Sequence, residues 1–469
     1  MQGPSHPRSG AVRPAAALAL GAGALLVLTV IGLIIARARV EAYLRSEQFR
    51  SFAADKAGRA LHANATFVGL KAEGLDFFCE HFRAEGAREA SFSILELQQP
   101  RASVSLRRFF EGIWQVDHVS AQRLDLHLNG ARIAAPVSPR PDTTPHASQN
   151  PGGWMPTRVE IGGATIREVN FSWGDGPTQG SLTGSQLAAT PREQGAWSLK
   201  TAGGRFLSPG LPPLQLNSAQ VLYRQPTVFL QTAVLESPAA PAGESGGPGS
   251  IRVSGEIAPT AGLNLQCELT RVSVTPFLPE DWRARLHGNL TGELTARGPD
   301  AQSLKIDAKL QLHNARIEAL PVLDKIALFT RLQQYRQLSL SKASAECTKQ
   351  GGRLEVRNFL AESSGLIRIE GRFSVQDEKI DGFFQVGVTP ASLQWLPGSQ
   401  EKIFTEARDG YVWTPMRLEG PVQNPADDLS PRLAAAAQAA IVEKAQDGAV
   451  KTIRSGVDAA KSVLDSLLK

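Results

Sequence analysis

The sequence has few of the residues that most often carry chemistry. Its 469 residues include only three cysteines and eight histidines. Cys79, Cys267 and Cys347 are odd in number and far apart, so they fit neither a metal-ligand spacing nor a disulfide framework. The phosphate-binding pattern Gly-x-x-x-x-Gly-Lys and the zinc pattern His-Glu-x-x-His are also missing. We therefore predict no catalytic residue, no metal site and no cofactor, and we expect that the protein is not an enzyme.

A strong excess of charge is missing too. The chain has 50 Lys and Arg against 45 Asp and Glu, and no basic cluster is interleaved with aromatic residues. Nucleic acid is therefore not an expected partner. The apolar content of 42% is typical of a folded protein, and 469 residues exceed what one core usually supports. We expect several domains or an extended array.

One long apolar run occurs, at residues 15–36, and its 22 residues carry no charge. At about 1.5 Å per residue it can cross a hydrocarbon core of about 30 Å. The alternative is a signal peptide cleaved after Ala-Arg-Ala at 36–38, but the run exceeds the usual length of about 7 to 15 apolar residues. We predict an uncleaved transmembrane helix preceded by a short tail, residues 1–14. The arginines on its two sides leave the orientation open.

Three further helices are predicted from apolar residues at helical spacing. Residues 41–61 form an amphipathic helix that either covers an apolar site near the membrane or packs on the first sheet, and the second interpretation is favoured. Residues 320–338 form a helix that interrupts the strands. Residues 431–469 form an Ala-rich amphipathic helix, for which a partner helix, self-association and capping of the sheet all remain open.

Short alternating stretches dominate the rest of the chain. Residues 124–129 alternate strictly between apolar and polar, as do 263–269 and 304–312, which is typical of half-buried antiparallel strands. Two segments, 134–153 and 237–250, are rich in Pro, Ser, Ala and Gly and are predicted to be linkers or loops.

Two segments, 251–299 and 367–421, follow one pattern. Each begins with Ile-Arg-hydrophobic-x-Gly, reaches a Thr-Pro pair 24 or 22 residues after the leading Ile, and ends in Gly-Pro. A repeated strand-turn unit builds an elongated sheet more readily than a catalytic pocket. The alternative is that any two amphipathic strands look similar because they share a period.

The order of these features resembles the AsmA-like family of bacterial envelope proteins. At the N-terminal side the resemblance rests on the anchor, the helix, Phe-Phe-Glu-Gly-Ile-Trp-Gln-Val-Asp-His-Val at 109–119 and the strand at 124–128. At the C-terminal side it rests on 352–359, 365–373, 381–390 and 415–425. The resemblance covers roughly residues 15 to 430 and contains no invariant catalytic motif.

This resemblance implies a mainly β fold, with an elongated, curved antiparallel sheet that forms a groove like those of chorein and bridge-like lipid transfer proteins. It also implies an inner-membrane protein with one transmembrane helix and its body in the periplasm. The implied function is lipid transfer between membranes or support of outer-membrane biogenesis. The expected regions are a first β region at 37–133, a linker at 134–153, a central β region at 154–236, a loop at 237–250, a C-terminal β region with one helix at 251–430 and the final helix at 431–469.

The alternation indicates how lipid transfer would work, because acyl chains could lie along a continuous apolar face while head groups stay in water. The expected partners are a phospholipid or another acyl lipid, the inner membrane through residues 15–36, and an outer-membrane or periplasmic protein. The rival hypothesis is a non-enzymatic scaffold for outer-membrane protein assembly whose apolar face closes as an ordinary core. The predicted groove residues are Leu124, Leu126, Leu128, Leu263, Leu265, Leu269, Ile367, Ile369, Val386 and Val388.

Overall fold

The computed structural model describes residues 39, 42–43, 45–87, 90, 92–128, 158–239, 247–258, 261–299, 303–318, 336–393, 402–436 and 438–439. The predicted transmembrane segment 15–36, the linker 134–153, residues 319–335 and most of the predicted C-terminal helix lie outside these ranges. Within them, no helix has both the length and the apolar character needed to cross a membrane.

The described part of the chain is mainly β, with one large mixed sheet and few helices. The chain divides into two compact units: the first comprises residues 1–132 and 139–168, and the second comprises 133–138 and 169–469. The strands of the first unit are β1 (Ala63–Val68), β2 (Lys71–Glu73), β3 (Asp76–Phe78), β4 (His81–Gly86), β5 (Phe92–Gln98), β6 (Arg101–Ser105), β7 (Ile113–Leu128) and β8 (Arg158–Ile161). The next strand, β9 (Ala164–Trp173), contains the boundary between the units.

The long strand β7 organises the first unit. The antiparallel series β1, β4 and β5 reaches its second half, and the series β2, β3 and β6 reaches its first half. Gln98 lies opposite Arg123 and Arg101 opposite Ser120, so β5 and β6 follow one register along β7. Strand β8 runs parallel to β7, which corrects the expectation of a wholly antiparallel sheet. The predicted strand at 124–128 is the last part of β7, which also contains residues 113–119 of the stretch that carries the family resemblance.

Helix α1 (Glu47–Leu61) packs on the sheet of its own unit. It begins at Ser46, whose hydroxyl accepts a hydrogen bond from the backbone N–H of Phe49 at 3.2 Å, an N-terminal cap. The Phe49 ring stacks on Phe77 with ring centroids 5.2 Å apart. Ala57 and Leu61, nearer the end of the helix, contact the apolar cluster formed by β1, β4, β5 and β7. This contact agrees with the favoured interpretation of the amphipathic segment.

The second unit is an antiparallel meander in which each long strand pairs with the next. Short strands branch from it at β12, β19, β24 and β26. The strands are β10 (Gly180–Pro191), β11 (Trp197–Ala202), β12 (Arg205–Leu207), β13 (Leu214–Arg224), β14 (Thr227–Glu236), β15 (Ser250–Ala258), β16 (Gly262–Ser273), β17 (Leu286–Gly298), β18 (Lys305–Glu318), β19 (Gln337–Leu340), β20 (Lys342–Gln350), β21 (Arg353–Ser363), β22 (Ile367–Gln376), β23 (Lys379–Val388), β24 (Glu406–Arg408), β25 (Tyr411–Pro421) and β26 (Ala426–Asp427).

Helical segments in the second unit are short. Those that the structure describes include the 3-10 turns Gly176–Thr178, Glu193–Gly195, Thr275–Phe277 and Pro390–Leu393, the helix α2 (Glu280–Arg283) and a helical stretch at residues 429–436. The end of the helix predicted at 320–338 is wrong, because Gln337–Leu340 pairs with β18 as strand β19.

The two copies of the sequence pattern fold in the same order. The first gives β15, β16, a 3-10 turn at its Thr-Pro pair and β17; the second gives β22, β23, a 3-10 turn at its Thr-Pro pair, the short β24 and then β25. In both turns the Thr carbonyl accepts an N–H three residues later, from Leu278 at 3.2 Å and from Ser392 at 2.9 Å. Val272 and Val386, three residues before these threonines, are both 2% exposed. The likeness therefore extends from sequence to local structure.

Candidate functional site

One side of the second unit's sheet is apolar across all its long strands. Residues opposite each other on antiparallel neighbours project to the same side of a sheet, so the strand register defines the side. We call this side the apolar face. Its central row, taking one residue from each of β13 to β18, β20 to β23 and β25, is Ala219, Ala233, Val253, Cys267, Leu294, Ala308, Cys347, Val356, Phe373, Gly382 and Leu418.

The opposite side of the same strands is charged. One row on this side contains Arg252, Glu268, Glu293, Lys309, Glu346 and Arg357. Arg252 and Glu268 approach to 3.6 Å. On the same side, the Thr348 hydroxyl donates a hydrogen bond to Asp307 at 2.9 Å and, as the main cause, lowers the pKa of that carboxyl group. The sheet is therefore amphipathic, and the apolar face is the side that needs a cover.

Burial on the apolar face changes gradually along strands β13 to β16. At one end of these strands Leu216, Leu235, Ile251 and Leu269, which are opposite one another in turn, are 5% to 9% exposed. In the central row Val253 and Cys267 are half-buried, whereas Ala219 and Ala233 are each 9% exposed. At the other end Tyr223 and Ile257 are each 37% exposed. These strands therefore form a trough with a closed floor and an open rim.

The floor of the trough is closed by the first copy's 3-10 turn. Phe277 in this turn packs against the buried cluster, as do Leu290 and Leu310 from the neighbouring strands. Over the central row and the rim, no described element contributes a side chain to that cluster apart from the strands themselves.

At the C-terminal strands the apolar face is closed. Ile367, Val386 and Val388 are 1%, 2% and 4% exposed. We call the residues that cluster over them the cap: Leu393 from the second 3-10 turn, Ile403 and Phe404 before β24, and Leu429 and Leu433 from the helical stretch 429–436.

The predicted groove residues therefore fall into three environments. Leu263, Leu265 and Leu269 lie on the apolar face in the trough. Ile367, Ile369, Val386 and Val388 lie on the same face but belong to the capped cluster, so a ligand reaches them only if the cap moves.

The third environment is in the first unit. There Leu124 is 9% exposed and pairs with Leu97, while Leu126 and Leu128 pack in a cluster that includes Ala57 of helix α1. These three leucines thus belong to the core of that unit.

Several residues of the trough were not among the predicted ones. Leu216, Leu230 and Leu235 precede the first sequence repeat, and Cys267 was considered only for its spacing from the other cysteines. The signal that could have found them is the alternation of β13 and β14, which is interrupted by bulges after Leu216 and after Leu230. A bulge adds a residue and moves the following side chains to the other face, which hides the period.

The cysteines are free thiols set in apolar surroundings. Cys79 is buried, and Cys267 and Cys347 are half-buried on the apolar face. Burial raises the pKa of all three thiols. For Cys267, burial together with the charge of Glu268 raises the pKa to about 11. Such thiols are mostly protonated at neutral pH and are poor nucleophiles or metal ligands.

The described residues contain no group of three or more His, Cys, Asp or Glu side chains placed to hold a metal ion. The sequence Gly-Glu-Ser-Gly-Gly at 243–247 matches the letters of the hydrolase pattern Gly-x-Ser-x-Gly. That pattern needs a strand, a sharp turn and then a helix. Here residues 247–249 are irregular and lead into strand β15, so the helix is missing.

Fold and site together define a mainly β protein whose amphipathic sheet carries an apolar trough. No protein-family model, no curated protein and no solved structure matches the chain.

Proposed function

We propose that the trough of the second unit binds the acyl chains of lipids. The observation that carries this proposal is the gradient of exposure on the apolar face, from 5% at Leu216 to 37% at Ile257. A closed core would bury the rim as deeply as the floor. Large half-covered apolar surfaces on folded proteins usually mark binding sites.

The dimensions suit one lipid chain. Four strands, β13 to β16, are separated by three spacings of about 4.8 Å, which gives a trough of roughly 14 Å. One leaflet of a bilayer core is about 15 Å thick, so a single acyl chain fits along it. Burying ten methylenes there would contribute about 8 kcal/mol, enough to hold a lipid after the cost of ordering it.

The wider role that we propose follows from the apolar run at residues 15–36 and the resemblance to AsmA-like proteins. In this proposal the chain is a non-enzymatic protein of the bacterial inner membrane with its body in the periplasm. It binds or transfers lipids between membranes, or supports outer-membrane biogenesis, with an elongated groove as its working surface. The trough supplies the lipid contact, and no residue has to react.

The capped cluster favours a second candidate function. Because Ile367, Val386 and Val388 are covered, the C-terminal strands have the closed core expected of a scaffold for outer-membrane protein assembly. The two functions differ in whether the trough holds lipid.

Leu265 and its neighbour Gln266 provide a matched test. Leu265 lies on the apolar face, whereas Gln266 is exposed on the charged side of the same strand. Leu265→Asp places a carboxylate in the trough, which should remove contact with about two methylenes, or about 1.6 kcal/mol, and lower lipid retention roughly tenfold. Gln266→Asp introduces the same charge and should leave retention unchanged.

The measurement is the molar ratio of lipid to protein, by mass spectrometry of extracts from full-length chains purified in one neutral detergent. Lipid held around the membrane segment is common to both variants and cancels in the comparison. Equal ratios in Leu265→Asp, Gln266→Asp and the unchanged chain would rule out the trough and favour the scaffold.

A further inference from the structure

A polar pocket lies in the first unit, and none of its lining residues belongs to either apolar cluster of that unit. It is a depression of about 290 Å³. Its polar lining consists of Gln99, Arg101, Ser120, Gln122, Thr165 and Arg167. All these residues belong to the first unit.

Three neighbouring strands bring these residues together. Arg101 at the start of β6 is directly opposite Ser120 of β7. On the other side of β7, the Val119 N–H donates to the carbonyl of Gly163 at 2.9 Å, and His118 Nε2 lies 2.8 Å from Thr165 Oγ1. These contacts hold the start of β9, and with it Thr165 and Arg167, beside β7. Apart from Gln99, which lies in the bend between β5 and β6, the polar lining residues belong to strands of a hydrogen-bonded sheet.

Its two arginines have no carboxylate partners in the part of the chain that the structure describes. Other arginines of this unit do: Arg108 pairs with Glu111 at 2.8 Å, and Arg123 pairs with Asp125 at 2.9 Å. Glu168, the chain neighbour of Arg167, is 3.5 Å from Arg123.

Glu80, the second carboxylate near the pocket, also has a cationic partner. Glu80, whose carbonyl accepts the Gln99 N–H at 3.0 Å, is 3.8 Å from Lys71. The pocket thus holds two positive charges that the neighbouring carboxylates do not neutralise.

Arg101 is also held in place. Its guanidinium carbon lies 5.3 Å from the centroid of the Phe78 ring, a cation–π contact that limits the rotation of the side chain. A guanidinium fixed in this way loses less entropy when it binds an anion, because its planar fork of donors is already oriented.

The donor set matches a phosphate group. Two guanidinium forks bind phosphate oxygens through paired charged hydrogen bonds, and the hydroxyl of Ser120 and the amides of Gln99 and Gln122 add neutral donors. A volume of about 290 Å³ holds roughly ten waters at about 30 Å³ each, so a phosphate group with its hydration fits. We propose that this pocket binds the phosphate of a mono- or diester, and the proposal does not depend on the trough.

Two sources could supply that phosphate: the head group of a lipid or a soluble phosphate ester. The test uses the full chain in a neutral glycoside detergent at fixed chloride concentration. One arm titrates inorganic phosphate by calorimetry, and the other adds micelles doped with phosphatidic acid or, as a neutral reference, with diacylglycerol.

Arg101→Gln and Arg167→Gln should each weaken phosphate binding at least tenfold in whichever arm shows it, because each removes one guanidinium. Arg107→Gln is the matched control, since Arg107 is an exposed arginine of the same unit outside the pocket. Arg101→Lys keeps the charge, loses the fork and should give an intermediate affinity. Unchanged circular dichroism will show that the variants fold.

Saturable binding in the phosphatidic acid arm alone assigns a lipid head group, and binding in both arms assigns phosphate esters in general. The proposal is overturned by binding in neither arm, or by an equal loss in Arg107→Gln. The two proposals can fail separately. Equal lipid ratios in the trough variants, together with phosphate binding that depends on Arg101 and Arg167, would reject the lipid trough and support this site.

Discussion

At the scale of single residues, Cys267 and Cys347 are native reporters of the apolar face. They lie in one row, with Leu294 and Ala308 between them. Three strand spacings separate them, about 14 Å. Both are half-buried, and Cys267 faces the trough, whereas Cys79 is 6% exposed in the first unit. Their raised pKa values show that the surroundings disfavour charge.

The raised pKa of Cys267 makes a prediction about pH. Thiolate, not thiol, reacts with iodoacetamide, so a pKa of about 11 leaves about one thiolate in a thousand at pH 8. The alkylation rate of Cys267 should therefore rise about tenfold per pH unit and continue to rise at pH 10. Peptide mass spectrometry on the folded chain measures this rate, and the same peptide in guanidinium is the control. A rate that levels off near pH 9 would show an ordinary thiol.

Residue-level prediction from the sequence succeeded where strands are regular. Leu263, Leu265 and Leu269 were placed on one face from their spacing, and the register agrees. The sequence could not separate these from Ile367 or Val388, because an alternating strand looks the same whether its apolar side is open or capped. Whether the apolar side is covered depends on residues distant in sequence. Leu429, for example, packs in the same cluster as Val386, and no local period reveals this.

At the scale of elements, the cap buries the apolar side of the last strands. Leu429 is 1% exposed and packs in the cluster that covers β22, β23 and β25. Removing three methyl or methylene groups from such a position leaves a cavity in a close-packed cluster. Leu211, in contrast, is 47% exposed.

Leu429→Ala should lower the free energy of opening of β23 and β25 by about 2 to 4 kcal/mol, because burial and packing are both lost. Hydrogen exchange of peptides from 379–388 and 411–421 measures this change. Leu211→Ala, which removes the same atoms from an exposed site, should shift exchange in these peptides by less than about 0.5 kcal/mol. Equal exchange in the two variants would mean that residues 429–436 do not hold the cap closed.

Strand prediction was most accurate for the existence of elements and least accurate for their pairing. The alternating stretches at 124–129, 263–269 and 304–312 correspond to parts of β7, β16 and β18. The alternation did not indicate that β8 pairs parallel to β7, because a half-buried strand has a period of two in either direction. The helix predicted up to residue 338 failed at its end because Leu338, at 2% exposure, fits a strand of the capped cluster equally well.

At the scale of the whole molecule, each unit has its own apolar clusters, and the second also has a surface that is only partly covered. The sheet of the second unit carries one apolar side across every long strand from β13 to β25, closed at its C-terminal strands and open along the rim of β13 to β16. The two copies of the sequence pattern differ in this respect, because the first copy lies in the trough and the second copy lies under the cap. A lipid that enters the trough is therefore expected to contact the first copy and not the second.

A photoreactive phospholipid tests this account most directly. The full chain is mixed with vesicles of phosphatidylcholine containing a lipid with a diazirine near the end of one acyl chain, irradiated and digested, and the crosslinked residues are mapped by mass spectrometry. The account predicts crosslinks at Ile257, Leu265, Cys267 and Leu294, with none at Ile367 or Val388. Crosslinks confined to residues 15–36, or spread equally over the charged side at Gln266 and Glu293, would contradict it.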